Sequence, residues 1–317
     1  MFSISIIIPV KNGASTLKKC LMAIEKQQYN GYIETLILDS ASVDNSVEIA
    51  LLYGAKVINI TADEFNHGFT RNEGIAKATG ELVYFTVQDA WLADVNNLQI
   101  MASHFKDLQV QSVTGIQAIP HDVDKNPSLW FKRSSQPVVE FYQYPKGDFA
   151  AFEPLRQKQI CCWDNVNAMY RKSALTKLPF ERTNLSEDMI WSKNVLELGW
   201  KIVRDPSVVV YHYHHHAFSY SFKLNYMVAF EDRKIFGLKP IYPSVFMPFL
   251  KRTYTILKNN SLSFAEKISW IFHNAGIYLA HSLSVFIFRI VLFFGGEKSL
   301  EKSIFFFCNT VPQGKQK

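Results

Sequence analysis

Four apolar runs of strand length, separated by helix-like segments, occupy the first 90 residues and leave few folds open. Ile4–Val10 is apolar almost throughout, as a strand covered by helices on both faces must be. Asn12-Gly13 turns the chain, Ser15 stands where a helix cap is wanted, and Leu17, Leu21 and Ile24 recur at helical spacing. A second strand, Ile33–Leu38, ends at Asp39, and Asp44 is placed to cap the helix that follows. Lys56–Ile60 is the third strand, and Thr70–Ala78 is a helix closed by Gly80. Leu82–Val87 is the fourth strand and runs into Gln88-Asp89. Such alternation with right-handed crossovers predicts an α/β fold with a Rossmann-like, mostly parallel sheet flanked by helices. Further on, Val110–Pro120, Asn165–Tyr170 and Lys201–Tyr211 read as strands, and Ser186–Leu198 as a helix ended by Gly199. Residues 121–160 form a long aromatic excursion with few periodic signals, a length usual for functional or mobile segments.

From Phe218 the pattern changes to long, Phe-rich helices, which divides the chain into 1–217 and an α-helical extension, 218–317. The extension carries 13 Lys and Arg against 5 Asp and Glu, while the whole chain is only +6, so the first region is slightly acidic. A region both basic and aromatic points to an anionic lipid surface rather than nucleic acid. A basic solvated face on a helical subdomain is the plainer alternative. Residues 277–295 are long enough to span a bilayer, but His281 and Arg289 inside them make a span costly. A helix lying in the interface and a buried core helix remain. The four cysteines lack zinc-ligand spacing, and reduced cytosolic thiols are expected. Residues 2–10 lack the basic flank and cleavage site of a signal peptide and are expected to be a core strand.

Carboxylates at strand ends matter because ligands of open α/β sheets bind outside those ends. Asp39 can accept a uracil or thymine N3–H, or simply close an Asx-turn. Asp89 is a candidate ligand for Mg²⁺ or Mn²⁺. A second ligand would come from the run YHYHHHAF, where His212, His214 and His216 share a face if the strand continues. Glu187 and Asp188 open a helix, where the dipole favours acids whatever their role; one of them can act as a general base. His67 and Arg71, at a helix start in NHGFTRN, can bind phosphate.

The ordered set IIIPVKNG, ILDSASVD, FNHGFTRNEG, VQDA, NVNAMYRK, SEDMIW and VVYHYH resembles family 2 glycosyltransferases of the GT-A fold, over roughly residues 3–216. NHGFTRN and VQDA look most like the rhamnosyltransferase branch. The resemblance implies that Pro9, Asp39 and Ser42 hold the nucleotide. It gives His67, Arg71, Gln88 and Asn165 to the substrates, Asp89 with His212 or His214 to the metal, and Asp188 of the Glu187-Asp188 pair to catalysis. Val87 stands where the common Asp-x-Asp motif has an acid, which bears on metal strength. The implied enzyme is an inverting glycosyltransferase that moves a sugar, L-rhamnose above all, from a dTDP- or UDP-sugar to a lipid-linked glycan. It would work peripherally on the inner leaflet of the cytoplasmic membrane, in surface polysaccharide synthesis, with no nucleic acid partner. A sugar-nucleotide nucleotidyltransferase is one alternative, although PVKNGAST is a poor phosphate loop. A non-catalytic glycan-binding module is the other.

Overall fold

The computed structural model describes residues 1–308 apart from 62–64, 123, 133 and 184. Asp63 and Glu64, and residues 309–317 of the expected helical extension, thus lie outside the described residues. Two compact units are present: residues 1–118 with 133–212, and residues 119–132 with 213–317.

The first unit opens with β1 (Ile4–Val10), α1 (Ala14–Glu25), β2 (Ile33–Asp39), α2 (Ser46–Leu52), β3 (Lys56–Asn59), α3 (His67–Lys77) and β4 (Leu82–Phe85). It continues with β5 (Trp91–Leu92), α4 (Asn97–His104), β6 (Val110–Ala118), β7 (Glu140–Tyr142), α5 (Pro154–Ile160), β8 (Ala168–Arg171), α6 (Lys172–Lys177), α7 (Glu187–Glu197) and β9 (Lys201–Tyr211). Among the described residues these strands form one nine-stranded sheet, in the order β3-β2-β1-β4-β8-β6-β9-β5, with β7 also paired to β9. The first four strands are parallel, as their apolar runs predict. Ile4, Ile6, Ile7 and Ile8 are fully buried, because helices cover both faces. Strand β8 enters antiparallel to both β4 and β6, while β6 and β9 run parallel.

Two local readings of the sequence give way, and a third, the Asp44 cap, is extended. Helix α1 begins at Ala14 after Gly13, so Ser15 lies within its first turn. Asp44 bonds two helix starts: its Oδ2 accepts from Ala14 N–H at 3.0 Å and its Oδ1 from Ser46 N–H at 3.0 Å. The histidine run is not a strand, because ladder pairing of β9 stops at Tyr211.

In the second unit, α8 (Phe218–Phe236), α9 (Phe246–Leu257) and α10 (Phe264–Cys308) are its long helices. Gly296, at φ 62° and ψ −164°, breaks α10 into two pieces. The piece after the break packs on α8, with Tyr226 Oη 2.6 Å from Ser303 Oγ and Arg233 Nε donating to Glu297 at 2.8 Å. Arg289 donates to the Pro240 carbonyl at 2.8 Å and lies over the Tyr242 ring, so its charge is not left in the apolar run. Leu279, Leu283, Phe286, Ile290 and Phe293 are all exposed and recur every three or four residues. They form one solvent-facing apolar stripe.

Glu34 joins several parts of the parallel half. Its buried carboxylate accepts from Ser5 of β1 (2.6 Å), from Thr79 N–H (2.6 Å) and hydroxyl (2.7 Å), and from Lys56 of β3 (2.9 Å). Burial alone would raise its pKa, but hydrogen bonds from Lys56, Ser5 and Thr79 outweigh that and hold it at about 2. A depressed carboxyl contributes stability above its unfolded pKa and loses it as pH falls through the folded one. Glu34→Gln is therefore expected to cost roughly 2 kcal/mol at pH 7. It should also flatten the loss of stability that the parent shows between pH 4.5 and 2. Urea unfolding across that range checks both, and equal pH dependence in parent and variant would contradict them.

Candidate active site

Sheet topology brings distant residues to one edge. Strands β1, β2, β4, β6 and β9 end there, and antiparallel β8 begins there. That edge collects Asp39, Gln117, the Asn165 loop and His212. The two-residue strand β5 pairs Trp91 with Tyr211 and so folds Asp89 back beside His212. Asp89 Oδ1 lies 3.4 Å from His212 Nε2, both largely buried. A carboxylate and an imidazole nitrogen at this separation suit a divalent cation of the Mg²⁺ or Mn²⁺ kind. His214 follows in the second unit, where its ring stacks on His216 at 6.0 Å between centroids.

Asp39 is buried, and its Oδ2 accepts from Ser42 N–H at 3.0 Å, which is the Asx-turn. Its Oδ1 has no hydrogen-bond partner among the described residues. Ser42 accepts in turn from Asn12 N–H at 2.8 Å, and Pro9 pairs in register with Leu38. Gln88 braces the same turn, accepting from Lys11 N–H at 2.8 Å and donating to Lys11 C=O at 3.3 Å.

Helix α3 starts three residues before the expected Thr70, because the Asn66 side chain accepts from Phe69 N–H at 3.1 Å. The early start places Arg71 in the second turn. Asn72 clamps α3 to the Phe180 backbone through two hydrogen bonds of 2.8 and 3.1 Å. Gly68 permits that approach, since a Cβ there would sit 1.8 Å from the Glu181 carbonyl oxygen. Arg71 Nη1 then meets Glu187 Oε1 at 2.9 Å, with both side chains almost wholly buried. Arg71 also donates to the His67 carbonyl at 3.1 Å. His67 is held below its ordinary pKa by burial and then by the Arg71 charge, so it stays neutral.

Asn165 links the two acids of α7. Its side-chain N–H₂ donates to Glu187 at 3.0 Å, and its backbone N–H donates to Asp188 Oδ2 at 2.9 Å. Tyr170 fixes the amide by donating to Asn165 Oδ1 at 2.7 Å. Phe85, Phe180 and Trp191 surround Tyr170 and keep the cluster in apolar company. The neighbouring carboxyls are driven apart. Burial pushes Glu187 up, but Arg71, His67 and the hydrogen bond from Asn165 together outweigh it and keep Glu187 an anion. Asp188 is pushed well above the usual range by burial, then by the charges of Glu187 and Asp164. Environments that separate two carboxyls in this way mark distinct acid–base roles.

The model of glycosyl transferase family 2 matches residues 5–178, more than half of the chain. The chain belongs to glycosyl transferase family 2. It is 34% identical over 217 residues to the O-antigen chain rhamnosyltransferase RfbN of Salmonella typhimurium, covering 66% of each chain. It is equally similar to WbaN of Salmonella anatum, another O-antigen chain rhamnosyltransferase, at 34% over 217 residues, covering 67% of this chain and 66% of that one. The chain thus spans just under two thirds of the length of these curated relatives. Its fold matches the mannosyltransferase PcManGT of Pyrobaculum calidifontis, solved with GDP-Man and Mn²⁺, at a TM-score of 0.54 and 14% identity, covering 98% of this chain and 81% of that one. It also matches S. aureus TarS 1–349 in complex with UDP-GlcNAc, at a TM-score of 0.53 and 15% identity, covering 98% and 82%. The architecture is that of the GT-A glycosyltransferases.

Asn72, Tyr170, Gln117 and Asp164 escape a reading of the sequence, although all four orient the groups it singles out. A motif offers charged and titratable residues as candidates, whereas these act through neutral hydrogen bonds or through a neighbour. The Asn in TRN, one residue after Arg71, is the one signal that could have been used. Removing one partner of a buried ion pair leaves an uncompensated charge, so Glu187→Ala is expected to lose about 3–5 kcal/mol in urea unfolding. The partly exposed i,i+4 pair Lys193–Glu197 is the control, and Lys193→Ala should cost under about 0.5 kcal/mol. Equal effects would mean that the Arg71–Glu187 pair fixes nothing.

Proposed function

We propose that this chain is an inverting glycosyltransferase that transfers L-rhamnose from a dTDP- or UDP-sugar to a lipid-linked glycan during surface polysaccharide synthesis. The observation that carries the reading is the divided Glu187–Asp188 pair beside Arg71. Glu187 is engaged by Arg71 and Asn165, whereas Asp188 has a raised proton affinity suited to a base. Asp188 takes the proton of an acceptor hydroxyl, the hydroxyl oxygen bonds to the anomeric carbon, and the bond from that carbon to the nucleoside diphosphate breaks. The transition state has oxocarbenium character, as in glycoside hydrolysis. Asp39 accepts the base N3–H through its buried Oδ1, which has no partner among the described residues, with Pro9 and Ser42 beside it. Arg71, His67 and Gln88 shape the donor side. Asp89, with His212 or His214, would hold Mg²⁺ or Mn²⁺, and such a cation would supply positive charge to the departing diphosphate. The acceptor enters over a cavity of about 510 Å³ lined by Gln117, Cys162, Asp164 and Arg204. The relatives' names supply rhamnose and the surface glycan.

A panel of nucleotide sugars offered with lipid-linked acceptors, followed by nucleoside diphosphate release, tests the reading. Release from a dTDP- or UDP-sugar that depends on acceptor supports it. Pyrophosphate exchange would point instead to a nucleotidyltransferase, and donor binding without turnover to a glycan-binding module. Asp188→Asn is expected to keep donor affinity and lose turnover by roughly 10²–10⁴-fold. A base must be ionised to act, and Asp188 ionises above the ordinary carboxylate range. The acidic limb of kcat/KM should therefore lie at higher pH than a normal Asp would give. Near-normal turnover by the variant would remove Asp188 from this role.

The second unit supports a peripheral place on the inner leaflet. Among the described residues α10 is the helix long and apolar enough to cross a bilayer, yet only 22% of its most apolar window is buried within the protein. Its exposed stripe and that of α9, including Phe246, Met247, Leu250, Tyr254 and Leu257, offer side chains for interfacial insertion. The basic excess of 218–317 adds attraction to anionic headgroups. The protein is expected to sediment with anionic liposomes at low salt and to be largely released by about 1 M salt, where screening is short-ranged. Absence of binding at low salt would leave the stripe to protein contacts.

A further inference from the structure

The Asp89–His212 pair is tied to Asp164 through Gln117, and the donor–acceptor pattern of that chain has a fixed direction. Asp164 is a carboxylate and can only accept, so it takes the amide N–H₂ of Gln117. Asp164 Oδ1 is separately bonded to Val166 N–H at 2.9 Å. With its nitrogen turned toward Asp164, Gln117 presents Oε1 to His212 Nδ1 at 2.6 Å. An amide oxygen only accepts, so Nδ1 must carry the proton. In the neutral ring the lone pair then lies on Nε2, the atom that faces Asp89 at 3.4 Å. Hydrogen bonds of this kind to the far nitrogen of a ligand histidine fix its tautomer and its ring orientation.

We propose that Gln117, oriented by Asp164, is a positioning residue that sets His212 to bind a divalent cation through Nε2. This rests on the proposed function, in which Asp89 and His212 hold such a cation. The direction of the hydrogen-bond chain makes the proposal testable by reversal. In Asp164→Asn, the Asn oxygen stays with Val166 N–H and its amide nitrogen faces Gln117. Gln117 then turns its amide over, offers N–H to His212 Nδ1, and moves the ring proton to Nε2. Adding Gln117→Glu to that variant restores an acceptor on both sides: the new carboxylate takes the Asn N–H and the His212 Nδ1–H.

Two readouts follow on the full chain, the His212 tautomer by ¹⁵N NMR without metal and Mn²⁺ affinity by electron paramagnetic resonance. The parent should show Nδ1–H, Asp164→Asn should show Nε2–H with Mn²⁺ affinity lower by about 10–100-fold, and the double variant should regain both. Gln117→Leu should weaken Mn²⁺ binding without inverting the tautomer cleanly. Failure of the double variant to recover, or an unchanged tautomer in Asp164→Asn, overturns the proposal. A parent that shows Nδ1–H but binds no Mn²⁺ overturns the metal reading, and with it the role of His212 as a ligand.

Discussion

The buried ion pair between Arg71 and Glu187 is the constraint on which the site depends. Bringing two charges into a nearly dry setting is unfavourable unless geometry and extra hydrogen bonds compensate. Here the His67 carbonyl accepts from Arg71 and Asn165 donates to Glu187, while Arg71 Nε is buried with no hydrogen-bond partner among the described residues. The pair also explains features that look unrelated in the chain. Gly68 and Asn72 let α3 approach the loop before α7, Asn66 starts α3 early enough to aim Arg71, and Tyr170 fixes the amide of Asn165.

The proton affinity of Asp188 is raised first by its burial and then by the same pair. A neighbouring anion that is permanently ionised raises the proton affinity of a second carboxyl. Glu187 is such an anion because Arg71, His67 and Asn165 together keep it so, and Asp164 adds to the effect on Asp188. Asp188 is thus tuned by its burial and by the charge of Glu187. A surface Asp at a helix start, bathed in water, would lack this tuning whatever its place in a motif.

The parallel half of the fold is legible because its signals are local. Ile4–Val10 and the helices after it declare themselves by period alone, and their order fixes the crossovers. The other half depends on pairings distant in sequence. Nothing in Trp91-Leu92 announces a strand, yet its pairing with Tyr211 creates the Asp89–His212 pair. The histidine run is not a strand for the same reason: alternation suggests one, but the ladder of β9 ends at Tyr211 among the described residues. Among the candidate site residues, Asp39, Asp89 and the Glu187-Asp188 pair are legible as candidates because charged groups stand out at the ends of elements. Gln117 is invisible, since a neutral amide late in a strand carries no signal until its two partners are seen.

The most direct test of a nucleotide site at this edge is the affinity for UDP against CDP, two ligands of nearly the same shape. Uracil carries a proton on N3, whereas cytosine presents a lone pair there. The buried Oδ1 of Asp39, without a partner among the described residues, would accept the first and repel the second. Calorimetric titration should give UDP and dTDP binding at least about ten-fold tighter than CDP, as expected for a hydrogen bond to a charged group. That preference should vanish in Asp39→Ala. Equal affinity for UDP and CDP in the parent would contradict the assignment of this edge to a uracil or thymine nucleotide.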